Sequence, residues 1–179
     1  MRTPDLVSHA HALIDGNRFL TLGTTSSDGR PWTSPVCFAA AGLEDFYWVS
    51  RFDAQHSRNL GERGDVSLVV FDSTVAPYHG RALYAAGFAR ELFGDEIEAG
   101  LAVYPGPNRP GVSPVTRKDV TEPAGYRLYR ARVSDLWVLC PRQPLKPCPL
   151  HGIAHDHRAR VDARHMLAGV PAPELGTPG

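Results

Sequence analysis

Short β-prone runs separated by compact turn signals constrain this chain most. Phe19-Leu20-Thr21-Leu22-Gly23-Thr24-Thr25 is rich in β-branched and aromatic residues, and Ser26-Ser27-Asp28-Gly29 behind it is a strong turn. A second run spans Trp32 to Ala40, with Pro35 barring a full ladder of hydrogen bonds, and a third is Phe46-Tyr47-Trp48-Val49-Ser50. Further strands are expected at Val66 to Phe71 and Arg81 to Arg90, with a bend at Gly87. The last two, Tyr126 to Val133 and Asp135 to Leu139, are divided at Ser134. Six or seven strands at this spacing point to a mostly β fold with a few helices, an antiparallel barrel closed or nearly so.

Helices fit between them. Leu6, Val7, Ala10, Leu13 and Ile14 recur at helical spacing, with Thr3 as cap, Pro4 at the first position and Gly16 as stop. Asp53 is expected to cap a short helix from Ala54 to Leu60. A third helix spans Asp95 to Tyr104, and a Gly/Pro-rich loop runs from Pro105 to Pro123. Tyr84, Phe88 and Phe93 are expected in the barrel core.

With 19 basic and 19 acidic residues the formal charge is zero, which argues against nucleic acid. No apolar run approaches the roughly 20 residues of a membrane span, and the first residues lack the continuous apolar stretch of a signal peptide. Three cysteines, Cys37, Cys140 and Cys148, suit a reducing compartment, so a cytoplasmic location is expected. Cys37 has no positioned His partner and reads as a small core residue.

The ordered set DGRPWTSPVCF (28–38), FYWVSRFDAQHSRNL (46–60), DVSLVVFD (65–72) and RLYRARVSDLWVL (127–139) resembles the pyridoxamine 5'-phosphate oxidase-like split barrels that bind FMN. The resemblance covers roughly residues 5 to 140, so residues 1–140 are expected to form the FMN-binding split-barrel domain. It implies a flavin-dependent oxidoreductase, and a homodimer whose second subunit completes the cofactor pocket, with Trp32 and the strand around Trp137 as apolar contact surface. Arg51, His56, Ser57 and Arg58 offer cations and donors for the dianionic phosphate from one short piece of chain. Thr33, Ser34, Pro35 and Val36 offer a floor and backbone groups for the flavin ring. By resemblance, Trp48, Val49 and Ser50 lie along ring and ribityl, and Asn59 near the phosphate. Because Asp53 is expected at the helix N-terminus, side chains rather than bare helix amides are expected to hold the phosphate. Tyr78, His79, Arg81, Arg117 and Lys118 are candidates for an anionic substrate. No catalytic acid or base stands out, since the flavin carries the chemistry.

Two alternatives share the fold. The deazaflavin F420 would need more cations for its acidic tail, for which Arg51, Arg58, Arg63 and Lys118 are available. A non-catalytic flavin or haem carrier would draw on His56, His79 or His151. Oxidation of vitamin B6 itself is disfavoured. The family's C-terminal Trp followed by an R-L-x-D-R-type motif has no match here, where the tail reads His155-Asp156-His157-Arg158.

Residues 141–179 form a Pro/His-rich extension, expected to be partly mobile, with a short helix around Ala159 to Leu167. Cys140, Cys148, His151, His155 and His157 are zinc-ligand residue types. Their C-x7-C-x2-H-x3-H-x-H spacing matches no tight zinc knuckle and prolines separate the parts, so scattered side chains and no metal are expected.

Overall fold

Asp28-Gly29 makes the first hairpin. In the computed structural model, which describes residues 5–77, 79–105 and 113–161, Phe19–Thr25 (β1) pairs antiparallel with Pro31–Cys37 (β2). Gly29 turns at φ +87°, a left-handed conformation that an L side chain resists, and its N–H donates to the Ser26 carbonyl at 2.9 Å. Ala39–Ala41 (β3) follows β2 after Phe38 alone and pairs with Asp45–Arg51 (β4). The remaining strands are Asp65–Phe71 (β5), Ala82–Glu91 (β6), Tyr126–Leu139 (β7) and Arg158–Arg160 (β8).

The strand order is β2-β1-β5-β6-β7-β4-β3, with β8 added to β7. Since β2 and β3 are joined through Phe38, the two ends of that order are one piece of chain. The antiparallel sheet therefore curls round as a split barrel. Eight strands are present among the described residues. Trp32 to Ala40 divides at Phe38, β8 was not anticipated, and the expected break at Ser134 is a bulge within one long β7. Gly87 lies against that bulge, where a Cβ would collide with the Arg132 carbonyl, and Ser134 Oγ donates to the Ala86 carbonyl at 3.2 Å.

Alternation puts Leu20 and Leu22, Leu68 and Val70, and Leu136 and Val138 inside, all at most 3% exposed. Leu6–Gly16 (α1) covers one end with Ala10, Leu13 and Ile14. Each such Leu contributes about 1.5–3 kcal/mol on burial. The cap of α1 is Asp5, whose carboxylate accepts from Val7 N–H at 3.0 Å; Thr3 and Pro4 lie outside the described residues. Glu96–Leu101 (α3) covers a second apolar cluster around Tyr47, Leu92 and Leu128. Phe88 and Phe93 are 56% and 63% exposed and belong to neither cluster, because the alternation along β6 turns Phe88 outward.

Beyond β7 the described residues, to Val161, fold back onto the barrel. Cys140, Cys148, Ala159 and Val161 join the main core, and β8 occupies the start of the expected helix at Ala159; the rest of that helix lies outside the described residues. Cys140, Cys148, His151 and His157 converge there, so the expectation of scattered side chains is corrected. No helix among the described residues is long and apolar enough to cross a membrane.

Candidate functional site

The sequence-predicted site residues surround Gln55–Glu62 (α2), which follows β4 and packs on β1 and β2. Ser34 and His56 come together from β2 and α2, with Ser34 Oγ 3.1 Å from His56 Nδ1 and receiving Trp32 Nε1–H at 3.0 Å. His56 is 9% exposed, and burial holds its imidazole below the ordinary pKa, favouring the neutral form. Its Nε2 is buried without a hydrogen-bond partner. The expected phosphate cation is thus an inward neutral ring.

Asn59 is also inward, at 3% exposure. It donates from Nδ2 to Thr24 Oγ1 at 3.0 Å and accepts from Gln55 Nε2 at 2.8 Å, which ties α2 to β1. Trp48 is fully buried and stacks on Tyr129 with ring centres 5.8 Å apart. These two side chains tie the surrounding elements together from within. Ser57 is buried, Val36 is buried, and Ser34, Val49 and Ser50 are half-buried, while Thr33 and Pro35 are exposed.

Two guanidiniums remain on the outside. Arg51 makes two 2.8 Å bonds to the Asp53 carboxylate, which they hold below its usual pKa. Arg58 bonds Gln55 Oε1 at 2.9 Å and the Asp53 carbonyl. Asp53 therefore does not cap α2. The cap position is Ala54, with no side-chain hydrogen bond, because Arg51 competes successfully for the carboxylate. The amides at the start of α2 thus receive no side-chain cap, contrary to the expectation that Asp53 supplies one.

Beside this region lies a cleft of about 390 Å³ lined by Ser26, Asp28, Arg30, Pro31, Trp32, Gln55 and Asn59. In the sheet, β2 pairs with β1 alone, so its other edge has no strand partner among the described residues. None of the residues expected to receive an anionic substrate lines this cleft. His79 and Arg81 line a separate one of about 410 Å³ with His9 and Arg142, Arg117 bonds the Gly94 carbonyl and Glu98, Lys118 is exposed, and Tyr78 lies outside the described residues.

The sequence pattern of the family described as Pyridoxamine 5'-phosphate oxidase matches residues 6–133, more than half of the chain. The chain belongs to this family. No curated protein sequence matches it. Among solved structures it is similar to a haem-binding protein from Mycobacterium smegmatis, at 19% identity and a TM-score of 0.63, over 89% of this chain and 60% of that one. It is similar to HutZ, the haem storage protein of Vibrio cholerae, at 21% identity and a TM-score of 0.59, over 77% of this chain and 97% of that one. An F420 reductase aligns at 22% identity and a TM-score of 0.50, over 70% of this chain and 94% of that one. At such identities these likenesses establish the shared split barrel. The chain spans 60% of the length of the Mycobacterium protein.

Proposed function

We propose that this family member is an FMN-dependent oxidoreductase holding its cofactor along the open edge of β2 and the start of α2. The observation that carries this reading is the unpartnered edge of β2 beside the 390 Å³ cleft, with the uncapped N-terminus of α2 next to it. A flat ring with a polar rim suits an edge whose backbone groups are not used by another strand. Thr33, Ser34, Pro35 and Val36 would hold the ring, and Val49 and Ser50 its ribityl side. Arg51 and Arg58, with the first amides of α2, would hold the phosphate, while Ser57, expected there too, is buried beneath them. The guanidiniums' present partners are exposed surface groups, which a phosphate readily displaces. FMN supplies the hydride and electron transfer. The chain's own part is to bind and orient it, with Trp48, His56 and Asn59 fixing the elements from beneath.

The substrate proposed is a small molecule other than pyridoxamine phosphate, because the chain after β7 is a Cys/His corner and a short strand where the vitamin-binding motif would stand. F420 on the same edge is the variant that the F420 reductase's fold suggests. A haem reading rests on one observation, the neutral His56 whose Nε2 has no partner, as an iron ligand requires. Two similar structures are named as haem proteins. Flavin is preferred because His56 is buried under β2 and engaged by Ser34. A homodimer completing the pocket fits Trp32, which lines the cleft and is 49% exposed; sedimentation tests it.

The absorption spectrum of the purified protein, alone and with each added cofactor, separates the three. Flavin bands, with bound FMN retained through gel filtration, are expected. A Soret band, an F420 spectrum, or no binding of FMN would refute the proposal.

A further inference from the structure

Where β7 ends, four metal-ligating side chains from three short segments face one another. Cys140 Sγ lies 3.6 Å from His151 Nδ1, and Cys148 Sγ lies 3.4 Å from the same nitrogen and 3.5 Å from His157 Nε2. The two imidazole nitrogens are 3.2 Å apart, and all four ligand atoms fall within 4.8 Å of one another. Tetrahedral zinc with its usual bond lengths sets sulfur–nitrogen edges of about 3.6 Å and nitrogen–nitrogen edges of about 3.3 Å. The three sulfur–nitrogen distances and the nitrogen–nitrogen distance match those edges, and Cys140 closes the set within 4.8 Å.

The backbone explains how a weak sequence pattern reaches this geometry. Leu139 pairs with Arg158 at the end of the β7–β8 ladder, and Cys140 N–H donates to the His157 carbonyl at 2.9 Å, so strand register places Cys140 beside His157. Cys148-Pro149-Leu150-His151-Gly152 forms a tight turn. His151 N–H donates to Cys148 Sγ at 3.1 Å, Gly152 N–H to the Cys148 carbonyl at 2.9 Å, and Gly152 turns at φ +68°. A backbone N–H aimed at sulfur favours thiolate, the form that binds metal. His157 Nδ1 lies 3.0 Å from the His155 carbonyl, which fixes the proton there and leaves Nε2 free as a ligand. His155 itself stays outside the set.

We propose that Cys140, Cys148, His151 and His157 bind one zinc ion as a structural site. Two thiolates and two imidazoles in a tetrahedron select zinc over harder cations, and four protein ligands leave no open position for catalysis. The cysteines are 4% and 2% exposed while His151 reaches the surface, which gives the ion an entry path. The ion would clamp the end of β7, the Cys148 turn and the lead into β8, holding Ala159 and Val161 in the core. This proposal is independent of the cofactor reading.

Elemental analysis of untagged full-length protein, purified under reducing conditions without chelator, should give one zinc per chain. Cys148→Ser and His157→Ala should lose it, while Cys37→Ser, outside the cluster, should keep it. Cobalt(II) exchanged into the wild-type chain decides the matter if the variants fail to fold. A tetrahedral thiolate site gives intense visible bands and sulfur-to-metal charge transfer. Substoichiometric zinc after reconstitution, a weak octahedral cobalt spectrum, or a Cys140–Cys148 disulfide in place of metal would overturn the proposal.

Discussion

On the α2 flank, Arg51 answers Asp53 and Arg58 answers Gln55, each within a few residues and in contact with water. At the end of β7, Cys140, Cys148, His151 and His157 turn their ligand atoms toward one another, from segments joined by strand register. The first arrangement can exchange its partners for a ligand while the fold stays as it is. The second holds soft donors with no counter-charge among them, and an ion completes it. Polar groups on this one barrel thus divide into a replaceable surface set and a set that fastens the fold. Below the replaceable set, Trp48 and Asn59 share the flank's sequence but behave as structure.

The largest effect expected from that division is at Trp48. Trp48→Ala leaves a cavity against Tyr129 and should cost about 3–5 kcal/mol in denaturant unfolding. A stable variant with only weakened cofactor binding would move Trp48 to the replaceable set. Next comes Asn59→Ala, which strands Thr24 and Gln55 and should cost about 1–3 kcal/mol. A smaller effect follows from pH. Burial lowers the folded-state pKa of His56, and of His9 with Arg81 adding to it, from 6.5. As pH falls through that unfolded value, the unfolded chain takes up protons that the folded one refuses, so stability is lost on the acid side and kept above it. His56→Gln should flatten the unfolding midpoint's dependence on pH between about 7 and 5. Arg58→Ala should leave the unfolding midpoint almost unchanged; a large drop would show that Arg58 fastens the fold.

Where sequence alone served well, the signal was local. Asp28-Gly29 requires its turn, and the alternation through Val66, Leu68 and Val70 requires one buried face. It failed where two local partners compete, as when Arg51 takes the Asp53 carboxylate that otherwise caps α2. It failed again at Phe88, where aromatic character said core and strand alternation says surface. His56 and Asn59 were expected to face a phosphate, but their inward direction depends on how α2 lies on β1 and β2. The Cys/His corner was the least legible part. Its ligand spacing is set by the β7–β8 register, which no short motif encodes.

The central claim is that the open edge of β2 and the start of α2 take a flavin. Titration of FMN into cofactor-free protein, followed by quenching of flavin fluorescence, tests it directly. One FMN per chain should bind, and Arg58→Ala should bind it roughly tenfold to a hundredfold more weakly. No saturable quenching, or equal affinity in both proteins, would contradict the account.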